Sequence, residues 1–217
     1  VIQFRDVDFS YGGQKIFSGL SFTLSPGRFL VISGPARSGK TTLMQMITGM
    51  VLPDRGEVTL YGEPLTHIAS SAAKLRRLRR AIGGIGGVFS LLRDRTVLEN
   101  ISLTAEISGI SARVARKRAL AVCGKYRLSH VAANYPDMIS EVERRAVQLA
   151  RAEAACKSLI LADTPVDGLD AKVAAFINER LSALHLAGAS VLYLTSGSGP
   201  ESGPDEYLRL QDGKVTA

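Results

Sequence analysis

Apolar residues recur at Ile2, Phe4, Val7 and Phe9 on a roughly two-residue period, and after "YGG" a strand-like pattern resumes through "KIFSGLSFTL". Alternation of this kind puts one face in a core and the other in solvent, so residues 1–28 are expected to form antiparallel strands. The run Arg28–Ser33, "RFLVIS", is short and apolar; a Gly-rich loop and the helix-like "TTLMQMITGM" follow it. Strand residues return, punctuated by glycine, in "GEVTLYGEPL" (Gly56–Leu65). From about Ala69 to Ala155 the pattern is largely helical and charged, interrupted by "GGIGG". Two buried-type strands, "SLILAD" and "SVLYLTS", then flank an amphipathic helix over Ala171–Ala187. "YLRLQDGKV" reads as a hairpin turning at Asp212-Gly213.

Strands at both ends of the chain alternating with helices predict an α/β fold with a mainly parallel sheet. The N-terminal part adds an antiparallel β-subdomain, and the helical middle, approximately residues 91–150, reads as an inserted α-helical subdomain. Length and a 46% apolar composition suit one domain over residues 1–217 with a smaller lobe. No stretch approaches 18 consecutive apolar residues, so no membrane-spanning helix is expected. The start lacks the architecture of a secretory signal, and Cys123 and Cys156 lack metal-ligand spacing; reduced thiols in a cytosolic protein are the simplest reading.

The net charge of +7 is concentrated in Lys74–Arg80 and Arg113–Arg118. In the first cluster Leu75, Leu78 and Ile82 share one helical face and the arginines the other, as on an ordinary solvated helix. Attraction to anionic headgroups is the second reading. With no Trp and few aromatics nearby, nucleic acid is not an expected partner.

The segment "GPARSGKT" comprises Gly34, Pro35, Ala36, Arg37, Ser38, Gly39, Lys40 and Thr41, and fits G-x-x-x-x-G-K-[ST]; Thr42 follows it in the helix. A strand before and a helix after are what a phosphate-binding loop requires. Its glycines let backbone N–H groups curl around phosphate oxygens, and the helix N-terminus adds a positive dipole end. Lys40 is expected to reach the β- and γ-phosphates of ATP and Thr41 to hold Mg²⁺. A second oxygen ligand is expected at the end of a neighbouring apolar strand, where "SLILAD" supplies Asp163. These features predict a P-loop NTPase core.

Beyond the loop, the ordered landmarks are Tyr11, "DRTVLENI", "YPDMISEVERRAVQLARA", "LILADTPVDGLD" and "VLYLTS". Together they resemble the ATP-binding subunit of ABC transporters over essentially the whole chain. The short length and "DRTVLENI" are similar to the branch of cell-division, lipoprotein-release and macrolide-export ATPases. The order of landmarks disfavours a P-loop kinase or GTPase. The resemblance implies that Tyr11 stacks on adenine, the other reading being a strand-end tyrosine packed on the core. It also implies a head-to-tail dimer, with itself or a related ATP-binding subunit, on a permease-like integral membrane subunit. Its location would be cytoplasmic and peripheral, on the cytoplasmic face of the membrane. In such a dimer each ATP lies between one subunit's phosphate loop and its partner's signature sequence.

Several positions depart from the family pattern. At the signature, Ser140 is kept, but Glu141 and Val142 replace two glycines ahead of Glu143. A carboxylate there is expected to repel the partner's γ-phosphate, by roughly 1–4 kcal/mol at about 4 Å, unless it turns away or meets an arginine such as Arg144. Ser90 stands for a glutamine that touches Mg²⁺ and water, in a shortened segment. Thr164 stands for the catalytic glutamate and Ser196 for the switch histidine. Asp170 keeps the place that contacts the dimer partner. Asp167, three positions downstream of Thr164, carries a carboxylate but falls in a turn beyond the expected base position. The resulting expectation is an ABC-type ATP-binding subunit that binds MgATP and hydrolyses it weakly or not at all. The alternative is an active ATPase that powers transport with non-standard catalytic groups.

Overall fold

The computed structural model describes residues 1–197 and 199–216. Strands β1 (Ile2–Tyr11) and β2 (Gln14–Leu24) form the expected antiparallel pair around Gly12 and Gly13. After β3 (Phe29–Ser33) and α1 (Lys40–Ile47) come β4 (Arg55–Leu60), β5 (Glu63–Pro64), α2 (Leu65–Ala69) and α3 (Ala72–Ala81). Next are β6 (Ile82–Ile85), α4 (Val97–Ile107), α5 (Ala112–Lys125), α6 (Glu141–Ala154), β7 (Leu159–Asp163) and α7 (Ala171–Leu186). The chain ends with β8 (Ser190–Thr195), β9 (Glu206–Gln211) and β10 (Lys214–Thr216). The last two are the hairpin read from "YLRLQDGKV", and both turn residues, Asp212 and Gly213, have positive φ.

The principal sheet has the order β10-β9-β3-β8-β7-β6 and is parallel except for β9 against β10. Its strands read as continuous apolar runs because both faces are covered. Leu30, Ile32, Leu161 and Leu194 face one core, with α1 and the antiparallel sheet. Val31, Ile160, Ala162 and Tyr193 face the other, with Ile101, Val147 and Ile177 from α4, α6 and α7. The two-residue period of each strand thus feeds two cores at once.

Two expectations are extended by the structure. The segment Gly56–Leu65 pairs antiparallel with β1 (Ile2↔Leu60, Phe4↔Val58), so the N-terminal sheet has four strands in the order β2-β1-β4-β5. The "GGIGG" interruption is itself structural: Ile82–Ile85 is a fully buried edge strand parallel to β7. Its glycines are required by close packing. A Cβ on Gly83 would lie 2.6 Å from that of Ala152, and one on Gly84 2.3 Å from the Phe89 ring.

Helices α4, α5 and α6 pack on one another between β6 and β7. Two of them begin with reciprocal capping boxes, Thr96 with Glu99 and Ser140 with Glu143. In the second, Glu143 Oε2 accepts from the Ser140 N–H and hydroxyl, both at 2.7 Å. The hydroxyl bond holds the Glu143 carboxyl below its ordinary value; partial burial opposes this, and the N–H and His130 reinforce it. A depressed carboxyl contributes stability that is complete above its unfolded value, near 4.5, and is lost as the pH falls through the lower folded value. Glu143→Ala is expected to cost about 0.5–1 kcal/mol at neutral pH. Urea denaturation at descending pH should show the difference from wild type shrinking below that range.

Candidate functional site

The phosphate loop hangs between strands that the two cores hold rigid. The Gly34 N–H donates to Thr195 O at 3.0 Å, which fastens the loop's start to β8. A Cβ at Gly34 would meet Leu210 O at 2.5 Å, and one at Gly39 the Phe17 and Ile16 side chains at 2.7 and 2.9 Å. Arg37 and Gly39 have left-handed φ (67° and 101°), turning the chain so that α1 starts at Lys40. No side chain caps α1 and no acid lies in its first turn. Its leading N–H groups therefore remain available to an anion.

Lys40 lies at the centre of the loop, buried, and its Nζ donates to Gly34 O at 2.6 Å and Pro35 O at 2.8 Å. Burial lowers its pKa, while the Asp167 and Asp163 carboxylates oppose that shift. Asp163 ends β7 and is 6% exposed. Burial raises its pKa; Lys40 opposes the rise and Asp167 adds to it. For both groups, desolvation outweighs their mutual attraction.

A cleft of about 500 Å³ brings together the loop residues Gly39 to Thr42, Asp163, Thr164 and Ser196. Thr164 has φ 49°, a left-handed conformation unusual for a β-branched residue, and its N–H donates to Leu194 O at 2.9 Å. Ser196 is exposed at the end of β8. Tyr11 lies outside the residues lining this cleft. It is 45% exposed, its hydroxyl donates to Gln45 Oε1 of α1 at 2.9 Å, and its ring stands edge-on to Phe9.

The remaining sites fall elsewhere. Ser90 and Glu141 line a second cavity, of about 380 Å³, which shares Asp163 and Thr164 with the cleft. Ser140 and Asp170 are helix caps, for α6 and α7; Asp170 Oδ1 accepts from the N–H groups of Lys172 and Val173, both at 3.0 Å. Val142 is half-buried in the first turn of α6. Glu141 meets Arg145 at 3.2 Å, with Arg144 further off at 3.8 Å. Its charge is thus directed along its own helix, chiefly toward Arg145 rather than Arg144.

Sequence reasoning missed Gly86, Arg145 and Gln148. The glycine cluster was the available signal for Gly86, since strand-end glycine often marks close backbone approach. A Cβ there would lie 2.1 Å from Asp163 O, and φ is 107°. Gly86→Ala is expected to destabilise by about 1–3 kcal/mol and to push Asp163 off the cleft. Thermal denaturation with and without MgATP reads both effects, and an unchanged midpoint and unchanged ligand stabilisation would refute them.

A strand–loop–helix cradle with a buried lysine, beside a strand-end aspartate on a parallel sheet, defines a P-loop NTPase fold. The sequence profile of the ABC transporter family matches residues 17–167, and the chain belongs to that family. It is 32% identical over 196 residues to the cell division ATP-binding protein FtsE of Escherichia coli (strain K12), covering 90% of this chain and 87% of the relative. The FtsE of Bacillus subtilis (strain 168) is 30% identical over 196 residues, with 90% and 85% covered. Among solved structures, the dimeric ATP-binding cassette MJ0796 bound to ADP and Pi superposes with a TM-score of 0.88 at 27% identity, covering 100% of this chain and 97% of that one. The protein is an FtsE-like ABC transporter ATP-binding subunit. Among the described residues, no helix is long and apolar enough to cross a membrane.

Proposed function

We propose that this subunit binds MgATP through an intact phosphate loop and hydrolyses it slowly or not at all, acting as a nucleotide-dependent clamp or regulatory subunit. The observation behind the reading is one cleft that gathers Gly39 to Thr42 and Asp163, while Thr164 and Ser196 on the same cleft offer no base. The donor set suits the ligand. The Gly34 and Gly39 positions admit no side chain, Lys40 is central, and a hydroxyl and a buried carboxylate lie on the same cleft.

Lys40 and the N–H groups opening α1 would bind the phosphates, and Thr41 and Asp163 would hold Mg²⁺. When bound, Mg²⁺ supplies charge neutralisation across the β- and γ-phosphates. The Thr164 hydroxyl has no basicity near neutral pH, so it orients by hydrogen bonding at most and takes no proton from water. Asp167 lies in the turn beyond it and acts on Lys40 and Asp163 through its charge.

The likeness to the dimeric MJ0796 cassette supports a dimer, with itself or a related subunit, and the family resemblance implies that it is head-to-tail. In this reading Ser140 to Glu143 and Asp170 face the partner subunit, and Tyr11 faces adenine. Family membership supports a permease-like membrane partner and a peripheral place on the cytoplasmic face of the membrane. Residues 1–217 act as one ATP-binding domain, with the helical subdomain over approximately 91–150.

The test compares MgATP binding by calorimetry with steady-state phosphate release on the same preparation, with and without the membrane partner. Binding with release near background is the expected result. Turnover of several per second that disappears in Lys40→Ala would establish the alternative, an active ATPase with non-standard groups.

A further inference from the structure

Three polar side chains of α6 reach from one stripe of the helix to the two loops that flank Asp163. Arg145, Gln148 and Arg151 are spaced i, i+3, i+6, so they share that stripe. Arg145 Nη1 donates to three carbonyl oxygens of the turn after β7, those of Thr164, Pro165 and Asp167, at 3.3, 2.8 and 3.1 Å. Its Nε is held by Glu141 at 3.2 Å. On the other side, Gln148 Oε1 accepts from the Gly86 N–H at 3.0 Å, and its Nε2 donates to Phe89 O at 2.7 Å. Arg151 adds bonds to Phe89 O and Ser90 O at 2.9 and 3.0 Å. Gly86 abuts Asp163 O without room for a Cβ, and Thr164 follows Asp163 in a left-handed conformation. One loop thus packs on the main chain of that aspartate, and the other continues directly from it.

We propose that Arg145 and Gln148 are positioning residues of the nucleotide site: they fasten both loops around Asp163 to α6, so that this helix and the metal side of the cleft move as one unit. The proposal rests on the MgATP reading for its functional consequence, but its mechanical content is independent of it. A guanidinium suits the role because its fixed fork can serve several carbonyls while also meeting Glu141; an ammonium is a point donor on a flexible stem. The bonds run to main-chain atoms, so they fix loop geometry whatever side chains those loops carry.

The test uses the full chain with Arg145→Met, Arg145→Lys and Gln148→Leu. Hydrogen exchange without nucleotide is read at residues 164–169 and 86–90. Exchange is expected to accelerate about tenfold or more in the loop each residue holds, with β8 and the centre of α6 unchanged. ATP is then titrated with and without Mg²⁺. Arg145→Met and Gln148→Leu are expected to lose about tenfold of the affinity gained from Mg²⁺, with metal-free ATP binding nearly unchanged, and Arg145→Lys to fall between. Folded variants with wild-type exchange and the full Mg²⁺ gain would overturn the proposal, leaving the residues as ordinary packing. A wild-type protein that binds no ATP would overturn the MgATP reading alone, while exchange still decides the fastening. Should Arg145→Met fail to fold, the Lys and Gln148 variants carry the same comparison.

Discussion

Lys40→Ala is expected to weaken MgATP binding by roughly 10- to 100-fold while leaving the fold intact. The ammonium sits at the centre of the loop, bonded to Gly34 O and Pro35 O, where phosphate oxygens would compete for it. A hydrogen bond involving a charged group contributes about 1.5–3 kcal/mol, and about 1.4 kcal/mol is tenfold in affinity. The folded protein loses little by comparison, because burial already opposes the Lys40 charge. Pro35 is exposed, so water can replace the lost donor at its carbonyl, whereas the buried Gly34 carbonyl loses a partner and accounts for what stability the change costs. Calorimetry on variants with matched melting temperatures separates the two effects. A wild-type protein that gives no heat with millimolar MgATP would remove the basis of the proposed function.

The parts of this site that sequence reading recovered are those whose signal is local. β3, β7 and β8 stand out as apolar runs because both faces of the sheet are buried, and the loop follows β3 directly. Asp163, Thr164 and Ser196 were legible from strand ends and Thr41 from the loop–helix junction, and all four line one cleft. β6 was hidden for the opposite reason. Ala152 and Phe89 press so closely on Gly83 and Gly84 that the strand has no side chains at its centre, and hence no periodicity. Arg145 and Gln148 were invisible in another way. Their partners are backbone groups about 20 and 60 residues distant, and a main-chain carbonyl leaves no mark in the sequence.

Glu141 shows where composition and geometry part. As a charge at the signature position it predicted repulsion of a phosphate. The structure places it against Arg145, which also holds the turn carrying Thr164. Its carboxylate remains largely exposed, so the ion pair itself contributes little stability. The pair instead orients a guanidinium that is mostly buried. Relief of repulsion at this position therefore also loosens a tether on the cleft.

Thr164→Glu alone is expected to raise phosphate release by less than about tenfold, although a missing general base costs about 10²–10⁴ in rate. The new carboxylate would enter beside Asp163, whose own pKa burial and Asp167 already raise. The added carboxylate meets like charge from Asp163 and Asp167, opposed by Lys40. The backbone resists as well, because position 164 is left-handed and held through its carbonyl by Arg145, so a longer side chain starts from a constrained direction. Ser196 supplies no imidazole across the cleft, and in the proposed dimer Glu141 and Val142 would still face the partner subunit. Adding Glu141→Gly, Val142→Gly and Ser196→His to Thr164→Glu is expected to restore more turnover than the single change. Phosphate release at saturating MgATP distinguishes the cases. A gain of a hundredfold or more from Thr164→Glu alone would show that the base was the single missing group and that the signature changes do not obstruct catalysis.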